Sequence, residues 1–183
     1  MASLPLGPID RLEIDLLLAQ WNVWDEPIET LNAEIRKRQS QNTMAVLIAT
    51  LPGSAAYGSL ALASRIGLIE RFPRGASWAN YWGLTPGCRN SDEATDRLGS
   101  ITKQGSAMAR FILGELVVHV LRRDAWMQAW YARIKKRRGS KIAHVAVMRR
   151  LTTVIWHMVK NNEPYVMGGP PRRKLRQQAS GIA

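Results

Sequence analysis

Residues 79–105 read ANYWGLTPGCRNSDEATDRLGSITKQG, and this stretch decides how the chain divides. Within it, residues 84–104 carry Pro86, Gly87, Asn90, Ser91, Asp92, Gly99 and Ser100 and sustain neither a helical nor a strand period, so they read as a long loop. A loop of that length inside a compact domain is usually either a functional site or a disordered segment. On both sides of it apolar residues return at helical spacing. Downstream, Met108, Phe111, Ile112, Leu116 and Val120 predict one amphipathic helix, and Asp124 and Ser140 stand where the caps of two further helices are expected. The last of these places Val147, Met148, Leu151, Val154, Ile155 and Met158 on one face and should end before Pro164.

Upstream, a short helix is expected over residues 75–82. Residues 44–67 read as a helix ending at Leu51, a turn at Pro52 and Gly53, and a second helix from Ala56 to Ile66, the outline of a helix-hairpin-helix. Farther back, Leu12, Leu16 and Leu17, then Ile28, Leu31 and Ile35, fall at helical intervals. Pro27 is expected to break or kink that run into two pieces. Glu29, Glu34, Arg36, Lys37 and Arg38 occupy the other faces, as in an amphipathic arm that seeks a partner. No strand signal and no internal repeat stand out, so the fold class is all-α. The expected layout is an N-terminal helical arm (1–43), a main domain (44–166) and a disordered basic tail (167–183).

The chain has 183 residues, enough for one medium domain with a real core. Lys and Arg number 26 against 14 Asp and Glu, a formal charge of +12, which favours a polyanionic partner with nucleic acid first. An apolar run of the ~20 residues needed to span a bilayer is missing, as is a signal segment, so no membrane association and a cytoplasmic location are expected. Cys88 is the single cysteine, which excludes an intrachain disulfide. His119, His144 and His157 lie too far from it for any familiar zinc spacing and read as isolated surface or core histidines, so no metal site is expected in this chain.

Chemistry concentrates at three places. Ser91 lies in a loop flanked by Arg89, Arg97 and Lys103, cations that would neutralise charge developing on a phosphate; a hydroxyl nucleophile also needs a base or metal, and neither is visible nearby. The turn at Gly53 would expose backbone N–H groups at a helix N-terminus to a DNA phosphate, against the plainer reading of an αα-hairpin with no ligand. Arg133, Lys135, Lys136, Arg137, Arg138 and Lys141 follow Trp126, Trp130 and Tyr131, the mixture that nucleic-acid backbones and unstacked bases favour. Trp126 and Trp130 are four apart and are expected to be core anchors on one helix face, with base stacking as the alternative. Asp92, Glu93 and Asp96 read as a solvated acidic stretch, since a polar loop gives metal ligands no rigid scaffold.

Leu51, Pro52 and Gly53 with Ile66 and Gly67, then Phe72 and Pro73, then Gly83, Leu84 and Pro86, then Ser91, then Arg97, Gly99, Ile101, Lys103 and Gly105 follow one another in an order that resembles the C-terminal domain of bacterial insertion-sequence transposases of the one-hundred-ten family. The resemblance covers roughly residues 44–165. It implies a DNA recombinase guided by a bridge RNA, with Ser91 as catalytic nucleophile and DNA and a guide RNA as partners. It also implies a carboxylate-bearing, ribonuclease-H-like domain that binds Mg²⁺ in the complete enzyme. The ~40 residues before the hairpin are too few for that domain, because a single crossover unit takes about 30. The expectation is therefore a truncated or split transposase, inactive alone, completed by the carboxylate domain in trans, with a possible homo-oligomer through the N-terminal helices. Ala55 for a hairpin glycine, Asp92 for the glycine after the serine, and Thr102 for a second serine depart from the pattern. A non-catalytic DNA- or RNA-binding remnant and a helical interaction module are the alternatives.

Overall fold

The computed structural model of the chain describes residues 6–88 and 98–168. Seven helices and one two-stranded ladder make up the described structure, an all-α fold as expected: α1 (Pro8–Ser40), α2 (Thr43–Ala49), α3 (Ala56–Ile66), α4 (Gly75–Tyr81), β1 (Pro86–Cys88), β2 (Leu98–Ile101), α5 (Ala107–Arg123), α6 (Ala125–Arg138) and α7 (Ser140–Asn161). Ser91, Arg89, Arg97, Asp92, Glu93, Asp96 and the tail from 169 onward lie outside the described residues.

The long α7 is the spine of the core. Ala143, Val147, Leu151, Val154, Ile155 and Met158 are buried along it. It packs against α4, α5 and α6 and also touches α2. At α4 the approach is close: Gly75 lies so near Thr153 that an added Cβ would stand 2.9 Å from the Thr153 Cα. The indole of Trp156 donates to the Phe72 carbonyl at 2.9 Å and ties α7 to the segment before α4. Phe72, Trp78, Tyr81 and Trp82 form one aromatic cluster, with the Arg71 guanidinium 4.7 Å from the ring centres of both Phe72 and Tyr81.

Local signals decide most helix ends. Asn42, Ser106 and Asp124 each accept a backbone N–H three residues on, satisfying a donor that the helix start would otherwise leave open. At α7 the cap is Gly139 rather than the expected Ser140, which lies inside the first turn. Gly139 has φ +82°, a conformation open to glycine, so the sharp turn from α6 is made one residue earlier.

Two expectations are overturned. Pro27 does not divide the N-terminal run: α1 is a single helix of 33 residues that passes through it. The proline removes one ladder donor, and Val23, whose carbonyl is left over, lies in an exposed turn, where an open carbonyl costs little. The second correction is the ladder inside the expected loop, where β1 and β2 pair antiparallel with Pro86 opposite Ile101, Cys88 opposite Leu98, and a bulge between. Its cause lies outside local propensity, in the backbone crossing described below.

The arm α1 buries none of its residues. Ile14, Leu17, Trp21, Trp24, Ile28, Leu31 and Ile35 recur at alternating steps of three and four along it. All but the half-buried Ile35 stand in solvent, Trp21 at 71% and Leu31 at 64% of full exposure. Its C-terminal part packs on α2 and α3. Ion pairs of Arg36 with Glu29 and Arg38 with Glu34 lace its polar side, and that pairing holds the Glu34 carboxyl below its ordinary range. No described helix is long and apolar enough to cross a membrane.

Candidate functional site

The loop that would carry Ser91 is closed at its base by two glycines. Gly83, at φ +65°, follows α4; Gly105, at φ +79°, precedes α5. A Cβ on Gly83 would fall on the backbone of Gln104, and a Cβ on Gly105 on the carbonyl oxygen of Tyr81. The two chain segments therefore cross with backbone against backbone, and any side chain at either point would drive them apart. Hydrogen bonds from Lys103 N to Gly83 O (3.1 Å) and from Thr102 N to Thr85 O (3.0 Å) carry the β1–β2 pairing down to the crossing. Lys103 itself takes φ +56°, unusual for a side chain with a Cβ, and is exposed.

Arg110 is the side chain that holds this crossing, and sequence reasoning missed it. One guanidinium nitrogen, Nη1, donates to the carbonyls of Trp82 (3.2 Å), Gln104 (3.0 Å) and Gly105 (3.3 Å). A charged donor shared by three carbonyls is stronger than a neutral one. The only hint in the sequence was its place in the first turn of α5, five residues after Gly105. With Cys88 opposite Leu98, the ladder holds the two ends of the Ser91 segment side by side. Of the expected phosphate-handling cations, Lys103 is thus placed at this base, while Arg89 and Arg97 lie outside the described residues.

At the hairpin turn, Gly53 has φ +83°, and a Cβ there would overlap the ring of His119 on α5. His119, expected to be isolated, is exposed yet lies against this glycine. The turn is thereby buttressed from α5. Ala55, at the cap of α3, supplies no side-chain hydrogen bond, so the first N–H groups of that helix have no side-chain cap.

The third place is α6 with the start of α7. Arg133, Lys135, Lys136, Arg137, Arg138 and Lys141 are all exposed, and none is ion-paired to a described residue. Trp130 packs against the edge of the core as expected, whereas Trp126 is not the core anchor expected. Trp126 is 41% exposed and Trp130 half-buried. Their rings stack on each other, centroids 6.5 Å apart and 8° from parallel, with the Arg150 guanidinium of α7 4.4 Å from the first ring centre and 5.5 Å from the second. An arginine from a neighbouring helix covers both rings beside that core edge, a cation–π arrangement that spacing along one helix could not reveal.

Buried Asp124 anchors the other end of α6. It caps the helix through Met127 N at 2.9 Å and accepts from Tyr165 Oη (2.7 Å) and Gly168 N (2.6 Å). Burial alone would raise its pKa, but the hydrogen bonds from Gly168, Met127, Tyr165 and Trp126 together outweigh it and hold the carboxyl below its ordinary range. The Tyr165 hydroxyl is pushed up, by burial first and then by this bond. His157 is lowered by burial, against a smaller opposing effect of Glu163. Among the described residues no group of three or more His, Cys, Asp or Glu is placed to hold a metal ion.

Comparison with known proteins agrees with this layout. Residues 45–132, from α2 through the loop base to the first half of α6, match the profile described as the Transposase IS116/IS110/IS902 family. Over 143 residues the chain is 27% identical to an inferred transposase, y4pF/y4sB, of Sinorhizobium fredii (strain NBRC 101917 / NGR234), covering 75% of this chain and 37% of that protein. Over 121 residues it is 30% identical to another from the same strain, y4qE, covering 66% of this chain and 29% of that one. The chain thus spans about a third of the length of these curated relatives.

Proposed function

Since this chain belongs to the transposase family of IS116, IS110 and IS902, we propose that it forms the serine-bearing, nucleic-acid-handling part of an insertion-sequence transposase. The observation that carries this reading is the locked crossing of Gly83 and Gly105 under the Arg110 guanidinium, which sets the base of the Ser91 segment on a rigid support beside Lys103. A catalytic group on a loop needs such a support, because small misplacements of a nucleophile cost much of its rate.

In this reading the Ser91 Oγ attacks phosphorus. The Oγ–P bond forms as the bridging P–O bond of the strand breaks, the hydroxyl proton passes to a base, and the released sugar oxygen takes up a proton. One phosphodiester is exchanged for another, so the DNA end is held without an external energy source. Arg89, Arg97 and Lys103 supply the cations. The Mg²⁺ of the complete enzyme is assigned to carboxylates on a separate domain or polypeptide, as the family resemblance implies. The exposed basic end of α6 and the turn at Gly53 are assigned to phosphate contacts with DNA, or with the guide RNA that the family resemblance implies.

The test is a denaturing gel for a covalent protein–DNA adduct. It uses labelled element-end DNA, Mg²⁺, guide RNA and a carboxylate domain supplied in trans. An adduct present with the native chain and lost in Ser91→Ala is the expected result. No adduct where an intact family member forms one would remove Ser91 as a nucleophile. A second reading, a binding module without chemistry, is favoured by the six exposed cations around the end of α6. Affinity unchanged by Ser91→Ala and falling steeply with salt, together with no adduct, would establish it.

A further inference from the structure

A cleft of ≈ 330 Å³ lies between α4, α6 and α7, walled by Trp130, floored by Ala76 and Ala79 and edged by Arg149, Arg150 and His157. We propose that this cleft accepts a single unstacked nucleobase, held by the Trp130 ring and the arginine edge, from a single-stranded nucleic acid whose phosphates run along α6. The proposal rests on the nucleic-acid reading above and deepens it.

Four features converge on this ligand. The volume stands at the lower end of the range of about 300–1,000 Å³ for small-molecule sites, which suits one ring system and little more. The lining sets the Trp130 indole among the small side chains of Ala76, Ala79 and Ala146, and bases stack on aromatic side chains whatever their sequence. The Arg150 guanidinium already lies over the two tryptophan rings, fixing them without closing the cleft and adding positive charge beside it. Finally, Trp130, Arg133 and Arg137 follow one another at steps of three and four on α6, so the slot and exposed cations share one helix face. A backbone tracking those cations delivers a base to the slot. The α7 side of the cleft lies beyond the residues matched to the family.

Fluorescence anisotropy with the full chain tests the proposal, using end-labelled single-stranded DNA, single-stranded RNA of the same sequence, the DNA duplex, and a strand of abasic units that keeps the phosphates and lacks the rings. Ala76→Leu fills the cleft from an exposed position on α4 and leaves every charge in place; Trp130→Ala removes the wall. Each variant should bind the single strand about tenfold more weakly, in keeping with the worth of one stacked base, and the duplex within twofold of the native chain. The abasic strand should bind the native chain as weakly as the intact strand binds Ala76→Leu. Losses confined to DNA or to RNA identify which strand is used. Equal losses on single strand and duplex, or single-strand binding unchanged in Ala76→Leu, overturn the cleft and leave the nucleic-acid reading standing. A native chain that binds none of the four probes overturns both.

Discussion

Glycine is required at some positions of this chain for two separable reasons, and substitution can pull them apart. Gly67 and Gly83 both have positive φ, +64° and +65°. A Cβ on Gly67 meets open space, whereas one on Gly83 meets the Gln104 backbone. Gly67→Ala should therefore pay only backbone strain, about 1–3 kcal/mol. Gly83→Ala adds an overlap that cannot be relieved by a side-chain rotation, and should destabilise by at least about 2 kcal/mol more. Chemical-denaturation midpoints of the two variants check the ordering; equal losses would mean that the crossing is loose. The sequence displayed both glycines within a recognisable pattern, yet could not tell which was there for the turn and which for the crossing. That distinction depends on where residue 104 lies in space.

Among the elements, α6 shows best how a helix is held at its two ends by different means. Its N-terminus depends on Asp124, which collects donors from α6 itself, from Tyr165 and from Gly168. Because the folded carboxyl titrates below the unfolded one, the unfolded chain binds more protons between the two values, and stability rises with pH in that window. The contribution is complete above about pH 4 and fades as pH falls through the lower folded value. Asp124→Asn should cost about 1–3 kcal/mol at neutral pH, with the two proteins converging as acid protonates the native carboxyl. Thermal melts across that range give the answer, and a constant gap down to the acid limit would contradict it. The helices themselves were largely legible from apolar spacing and caps. The exceptions were those that neighbours decide: α1 runs through Pro27 because its turns there face water, and the β1–β2 ladder forms because its two strands are brought together from either side of the loop.

For the molecule as a whole, the question is what covers α1. Its alternating steps of three and four leave a seam of leucine, isoleucine and tryptophan in solvent, the pattern with which helices pair side by side. The homo-oligomer expected from the sequence would set this seam against that of a second copy. Sedimentation at tens of micromolar should give a dimer, and Leu17→Glu with Ile28→Glu should give a monomer of 20.5 kDa with its helical content retained. A native chain that sediments as a monomer would refute the pairing. The sequence announced an amphipathic arm, since the apolar residues fall at helical intervals. Its continuity over 33 residues, which makes one long seam, required the structure.

The crossing under Arg110 also separates two kinds of change along the chain. A change at Gly83, Gly105 or Arg110 unfastens a clasp that α4 and α5 share, and is felt on both sides of it at once. A change in the side chain of Lys103, which stands in solvent beside the clasp, leaves the fastening as it was.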